Sequence, residues 1–254
     1  MTNRQPPAPG TTASRPKVRL YVDQPLGEGQ PVSLSQEAAH YLLSVMRLGE
    51  GAELALFNGR DGEWRAVIRQ AGKRACAVEC LAPSAPQQNP PDLWLIFAPI
   101  KKARTDFIVE KATELGVARI QPVQTEFTNA ERIRRDRLQA HAIEAAEQCG
   151  ATFVPPVEEL QPLARLLTNW PEGRVLFWAD EARAGSGGTP PQSAAHGPAA
   201  ILIGPEGGFS PTERARLAAL PFIRPMALGP RILRADTAAV AAITLWQAQH
   251  GDWT

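Results

Sequence analysis

Two glycine-bearing segments near the carboxyl end carry the residue types that a ligand-binding corner needs. The first is Ile201-Leu202-Ile203-Gly204-Pro205-Glu206-Gly207-Gly208-Phe209-Ser210 and the second Leu228-Gly229-Pro230-Arg231-Ile232-Leu233-Arg234. In the second, Arg231 and Arg234 flank two apolar residues. Guanidinium groups so placed hold an anionic group or stabilise negative charge on a substrate oxygen. The first segment is neither a dinucleotide-binding nor a P-loop motif: it lacks the G-x-G-x-x-G spacing, and no Lys-Ser/Thr follows its glycines. Taken alone, its spacing favours a tight turn whose glycines supply unusual backbone angles. The arginines are then solvated, and Asp236 caps the last helix. Two such corners close together in the chain are harder to explain as turns, and they can form two walls of one pocket.

The elements around these corners fit that reading. The apolar run 201–203 reads as a buried strand, and Ser210, Pro211 and Glu213 form a capping-box helix start. Residues 222–227 read as a weaker strand, and an alanine-rich helix over 238–246 follows the second corner. Its small residues allow close packing inside the domain or against a second subunit. Upstream, the continuous apolar runs 93–98 and 175–179 suit central parallel strands. Helices over 104–115, stopped by Gly116, and 129–149 alternate with them, with a short strand near Ile120. Strands alternating with helices predict an α/β domain with a parallel sheet, which binds ligands beyond the carboxyl ends of its strands.

The amino-terminal third reads differently. Segments 18–22, 53–57 and 63–68 alternate apolar and polar residues, Asn58-Gly59-Arg60-Asp61-Gly62 is a turn, and 75–81 adds a strand. One helix, over 36–48, interrupts them, so a small β-barrel is expected. In that helix His40 and Arg47 stand seven residues apart and share a side. Residues 83–91 have linker composition, residues 1–16 form a polar, proline-rich leader expected to be disordered, and 185–197 reads as a flexible insertion.

A net charge of +1 among 254 residues excludes a strongly basic, charge-driven nucleic-acid binder, so any such site is a local patch. Lys101, Lys102 and Arg104, just past the 93–98 strand, are placed for phosphates. Arg132, Arg134, Arg135 and Arg137, interleaved with acids in one helix, read as a solvated face. Three cysteines fit neither a secreted disulfide framework nor a zinc site; Cys76 and Cys80 read as small buried residues on one strand face. A reducing cytoplasm is the expected setting.

The two corners, read on from Leu202 to Ser210 and from Leu228 through Ala235-Asp236-Thr237-Ala238, resemble the signature loops of the RsmE family. These are SPOUT-class methyltransferases acting on N3 of a uridine in small-subunit ribosomal RNA. His40-Tyr41-Leu42-Leu43-Ser44-Val45-Met46-Arg47 resembles the histidine-to-arginine motif of the family's PUA-like RNA-binding domain. Lys111-Ala112-Thr113-Glu114-Leu115-Gly116-Val117 and Glu144-Ala145-Ala146-Glu147-Gln148-Cys149 match internal blocks, and the likeness covers nearly the whole chain after the leader.

The resemblance implies a PUA-like β-barrel over 17–82, a linker over 83–91 and a trefoil-knotted SPOUT α/β domain over 92–254. It further implies a homodimer, 16S ribosomal RNA or the small subunit as partner, and S-adenosylmethionine bound in the knot. Ile203, Gly204, Pro205, Gly207, Leu228, Gly229, Pro230, Ile232, Leu233 and Thr237 are the cofactor positions. Arg231, Arg234 and Glu206 are the catalytic candidates, with Asp236 as another nearby carboxylate. His40, Arg47, Lys101, Lys102 and Arg104 face RNA, and no metal is expected. The family places arginine near the positions of Phe127 and Ala151, where this chain is apolar. Two alternatives follow from that departure: an RNA-binding assembly protein with weakened catalysis, or a SPOUT enzyme with a different RNA target.

Overall fold

The computed structural model describes residue 16 and residues 18–72, 76–129, 133–181 and 197–253. The chain divides into two compact units, Met1–Gln87 and Gln88–Thr254. The leader, apart from Pro16, and the 185–197 insertion, apart from Gly197, lie outside the described residues.

In the first unit the elements are β1 (Arg19–Tyr21), β2 (Pro31–Ser33), α1 (Gln36–His40), β3 (Glu53–Phe57), β4 (Glu63–Ala71) and β5 (Cys76–Ala85). The strands form one sheet in the order β1-β3-β4-β5-β2. Only the β1–β3 pair is parallel. Alternation sends Leu54, Leu56, Ala66, Ile68 and Val78 into one core with Val32 and Leu42. Register shifts between β4 and β5 bend the sheet around that core, as bulges do. Cys76 and Cys80 share this inner face, and burial pushes both thiols above the ordinary cysteine range. β5 runs to Ala85, into the segment read from composition as linker. Its last residues still pair with β4, where Pro83 stands opposite Trp64 in the bulged stretch.

The single long helix expected over 36–48 is not formed. Ser35 caps α1 by accepting from the Ala38 N–H at 3.1 Å, but α1 ends at His40 and continues as a π-helical turn, Tyr41–Val45. The wider turn seats Leu42 fully in the core and leaves Val45 and Met46 exposed. Arg47 follows with φ 55°, outside any helix. His40 and Arg47 are both exposed, but they do not share the face of a continuous α-helix.

The turn between β3 and β4 is as the residues predict. Asn58 Oδ1 accepts from the Arg60 and Asp61 N–H groups, at 3.0 and 2.8 Å, and its amide donates to Asp61 Oδ2 at 2.6 Å. The Leu26 N–H also donates to that carboxylate, at 2.9 Å. The Leu26 bond first, and the Asn58 amide second, hold the Asp61 carboxyl below the usual range. A depressed carboxylate stabilises the fold above its unfolded pKa, and that share is lost as pH falls through the folded pKa. The expected result is that Asp61→Asn lowers stability at neutral pH and flattens the acid limb of a thermal-melt series. A wild-type acid limb in the variant would contradict this.

The second unit contains β6 (Leu93–Phe97), α2 (Lys102–Glu114), β7 (Arg119–Gln124), α3 (Arg135–Cys149), β8 (Gln161–Pro162), α4 (Leu163–Thr168), β9 (Val175–Ala179), β10 (Ala199–Ile203), α5 (Pro211–Ala219), β11 (Ile223–Met226) and α6 (Ala235–His250). The six strands are all parallel, in the order β11-β9-β10-β6-β7-β8. Helices cover both faces, which is why the central strands read as unbroken apolar runs. Leu93, Leu95, Phe97, Phe177, Ile201 and Ile203 point toward α2, α3 and α6. Ile96, Leu176, Trp178, Ala200 and Leu202 point toward α4 and α5.

Two helices differ from expectation. α3 begins at Arg135, after Ile133 packs on the core, so Arg134 is its N-cap residue and Arg132 lies outside the described residues. The arginine run is therefore not one solvated helical face: Arg137 donates to Asp106 of α2 at 2.8 Å, and Arg135 to the Val157 carbonyl at 2.7 Å. α6 is longer than expected, and its small residues Ala235, Ala238, Ala239 and Ala242 are spent inside the unit's own core. Near its end the fully buried Gln247 amide donates to the Leu115 and Gly116 carbonyls, at 2.7 and 3.1 Å, fixing α6 against the end of α2. No helix among the described residues is long and apolar enough to cross a membrane.

Candidate active site

β11, β9 and β10 are neighbours and parallel, so their carboxyl ends open on one edge of the sheet. Beyond those three ends lies a cleft of about 240 Å³. Its floor is apolar, from Ala179, Ile203, Met226, Leu228, Leu233 and Ala238; its polar wall residues include Asp180, Glu181, Glu206, Arg231 and Arg234. Both glycine corners contribute, and the pairing expected of them is present.

The first corner is built to a narrow tolerance. A Cβ on Gly204 would lie 2.7 Å from Cε2 of Phe209, whose buried ring packs edge-on against Trp178 with centroids 5.9 Å apart. Gly208 has φ 69°, and a Cβ there would lie 2.6 Å from Glu181 Oε1. The corner then enters α5 through a full capping box. Ser210 Oγ accepts from the Glu213 N–H at 3.2 Å, and Glu213 Oε2 accepts from the Ser210 N–H at 3.0 Å. One turn later Arg214 donates to Glu181 at 2.9 Å and Asp180 at 2.7 Å, with its guanidinium 5.2 Å from the Trp178 ring centre. Gly204, Phe209, Trp178, Arg214, Glu181 and Gly208 are thereby stitched into one wall.

The second corner leads into α6 with Arg234 as N-cap residue; its carbonyl accepts from the Ala238 N–H at 2.7 Å, and its side chain caps nothing. Asp236 is not the cap. It accepts from the Thr237 N–H at 2.9 Å and pairs with Arg104 at 3.4 Å. A carboxylate in the first turn is favoured there by the helix dipole. Arg104 is thus engaged by Asp236, while Lys101 and Lys102 are exposed at the start of α2.

The cleft gathers Ile203, Gly204, Pro205, Glu206, Leu228, Gly229, Arg231, Ile232, Leu233 and Arg234 from the two corners. Gly207, Pro230, Thr237 and Asp236 are not among its lining residues. Gly207 instead backs onto Phe127. Motif reading missed the wall after β9, Asp180 and Glu181. The available signal was an acidic pair ending a buried strand, which the glycine corners overshadowed.

Residues 87–247 match the family described as RNA methyltransferase domain, and residues 34–80 the RNA methyltransferase PUA domain. Ribosomal RNA small subunit methyltransferase E of Rickettsia conorii is 31% identical over 228 residues, 89% of this chain and 93% of that protein. The chain belongs to the ribosomal RNA small subunit methyltransferase E (RsmE) family. A solved RsmE-family structure, that of Neisseria gonorrhoeae bound to S-adenosyl methionine, is 30% identical with a TM-score of 0.84, over 93% of this chain and 99% of that one. A Legionella pneumophila protein in complex with the bound cofactor SAM is also 30% identical, with a TM-score of 0.81, over 92% of this chain and 98% of that one. The fold expected from the family resemblance, a PUA-like domain followed by a SPOUT-type parallel-sheet α/β domain, is the fold observed.

Proposed function

We propose that this chain transfers a methyl group from S-adenosylmethionine to N3 of a uridine in small-subunit (16S) ribosomal RNA. The supporting observation is the single cleft formed by both glycine corners at the carboxyl ends of three adjacent parallel strands. Its residues fit the cofactor. Ala179, Ile203, Met226, Leu228 and Leu233 offer an apolar slot for a purine, the glycine corners offer main-chain donors and acceptors, and the carboxylates Asp180 and Glu181 at the rim suit the cofactor's cationic groups. When bound, the cofactor supplies an electrophilic methyl group on a sulfonium.

The protein must hold the uracil edge in line and manage one proton. As the imide N3–H is lost, negative charge spreads over the flanking uracil oxygens. Arg231 and Arg234, both exposed on the cleft wall, are the cations that stabilise it. Glu206 lines the same cleft and is the carboxylate that takes the proton, directly or through water. Asp236, held by Arg104 outside the cleft lining, positions the start of α6 rather than touching substrate.

The first unit is proposed as the RNA-holding module, with His40 and Arg47 exposed on it. Two chains are proposed to associate: Ile232, 74% exposed at the lip of the cleft, gives a second copy an apolar contact. Sedimentation at twice the 27.5 kDa chain mass supports the pair, and a single-chain mass overturns it. The cytoplasm, where free thiols such as exposed Cys149 persist, is the proposed compartment.

The test of function is direct. Purified protein, S-adenosylmethionine and small subunits from a strain lacking the gene should yield one new methyl on N3 of a uridine by mass mapping. Methyl on another position redirects the target, and cofactor binding without transfer to any RNA overturns the enzymatic reading.

A further inference from the structure

Loops at the carboxyl edge of the parallel sheet follow strand order, so the turn after β7 stands beyond the end of β6 from the corner after β10. The two nevertheless meet. An atom in place of a Gly207 hydrogen would lie 3.2 Å from Phe127 Cβ and 3.7 Å from its Cγ and Cδ2. The Glu126 N–H donates to Glu213 Oε1 at 2.9 Å, so the capping-box carboxylate of α5 braces both loops. The turn is also closed on itself. The Thr125 N–H donates to Thr128 Oγ1 at 2.9 Å, the two hydroxyls bond at 2.8 Å, and the Thr128 N–H donates to the Thr125 carbonyl at 3.2 Å.

On this braced turn Phe127 is 39% exposed, although Thr125 beside it is buried. A single exposed aromatic residue is ordinary. This one differs in standing on a turn closed by four hydrogen bonds, against the corner whose neighbouring residues line the cleft. Between the two loops, beyond β6, Lys101 and Lys102 are exposed and make no ion pair with the described residues. An exposed aromatic ring on a braced turn, with exposed cations at the end of the adjacent strand, is the combination that binds single-stranded nucleic acid, the ring stacking a base and the ammonium groups holding phosphates. Duplex RNA hides its base faces, so the fit is to an unpaired nucleotide.

We propose that Phe127 stacks an unpaired nucleobase next to the target uridine, while Lys101 and Lys102 hold adjoining phosphates of the same strand. The inference rests on the function proposed above. It makes the apolar residue at this position a substrate contact of its own kind.

The test compares Phe127→Leu and Phe127→Trp in binding to small-subunit RNA transcribed in vitro, with calorimetry against S-adenosylmethionine as a check of the cleft. Leucine keeps apolar packing on Gly207 but removes the ring face. RNA affinity should fall about 5- to 100-fold, as expected for one lost stacking contact. Tryptophan should bind within about threefold of wild type or more tightly. The salt dependence of binding should not change in Phe127→Leu, but its log–log slope should drop by roughly 1.4 in Lys101→Ala/Lys102→Ala. Cofactor affinity should be unchanged in all variants. Phe127→Leu at wild-type RNA affinity, or Phe127→Trp as weak as the leucine variant, overturns stacking. Wild-type protein that binds this RNA but methylates no subunit overturns the function instead, and leaves the stacking comparison to be read from the same binding data.

Discussion

Replacing Arg231 with alanine is expected to lower methyl transfer by about 100- to 1,000-fold, the usual cost of removing one preorganised donor from a developing charge. Affinity for S-adenosylmethionine should stay within about threefold, less than 1 kcal/mol. The separation follows from placement. Arg231 lines the cleft, is exposed, and makes no ion pair among the described residues, so its charge is available to an incoming base. The apolar floor that suits the cofactor comes from other residues, chiefly Ile203, Met226, Leu228 and Leu233. Arg231→Lys should recover only part of the rate, because an ammonium group cannot present a planar fork to the uracil edge. Arg234→Ala is the companion measurement. Its carbonyl, not its side chain, starts α6, so alanine preserves the helix while removing the charge. Near-wild-type turnover in both alanine variants would remove both arginines from the reaction and leave Glu206 to be tested alone.

The sheet and the paired corners were legible because they are written in local patterns. The runs 93–97, 175–179 and 199–203 are apolar on both faces, which only a strand covered on both sides tolerates. Ser210, Pro211 and Glu213 announce the start of α5 in three residues. What stayed hidden depends on packing between distant segments. No local signal stops the helix at His40; the seating of Leu42 in the core of the first unit accompanies the widening into a π-helical turn, and that displaces Arg47 from the face assigned to it. Arg104 reads as a free cation until α6 places Asp236 3.4 Å away. Asp180 and Glu181 join the cleft only because β9 lies between β10 and β11, an order in space that chain order does not state. The turn after β7 reaches past the end of β6 to Gly207, which strand order alone does not state, and so turns Phe127 from an apolar substitution into a placed side chain.

Gly208→Ala is expected to weaken cofactor binding by about 30- to 100-fold, and the reason is again the wall after β9. With φ at 69°, an alanine pays about 1–2 kcal/mol for the left-handed backbone alone. Its Cβ would also lie 2.6 Å from Glu181 Oε1. That oxygen is the one Arg214 holds at 2.9 Å, while the same guanidinium grips Asp180 at 2.7 Å, so the carboxylate cannot swing away without breaking the fork. The corner is relieved instead by leaving its cleft-forming conformation, and apparent affinity falls by the fraction of molecules that do so. Gly204→Ala strikes a different partner, the buried Phe209 ring wedged against Trp178, and should appear mainly as a loss of about 1–3 kcal/mol in stability from overpacking. The double variant Gly208→Ala/Glu181→Ala separates the two costs at residue 208. Removing the carboxylate should recover the part due to the clash and leave the backbone part, giving an affinity between those of Gly208→Ala and of Glu181→Ala alone. If the double variant binds no better than Gly208→Ala, Glu181 is not what demands a glycine there, and the left-handed backbone alone sets the requirement.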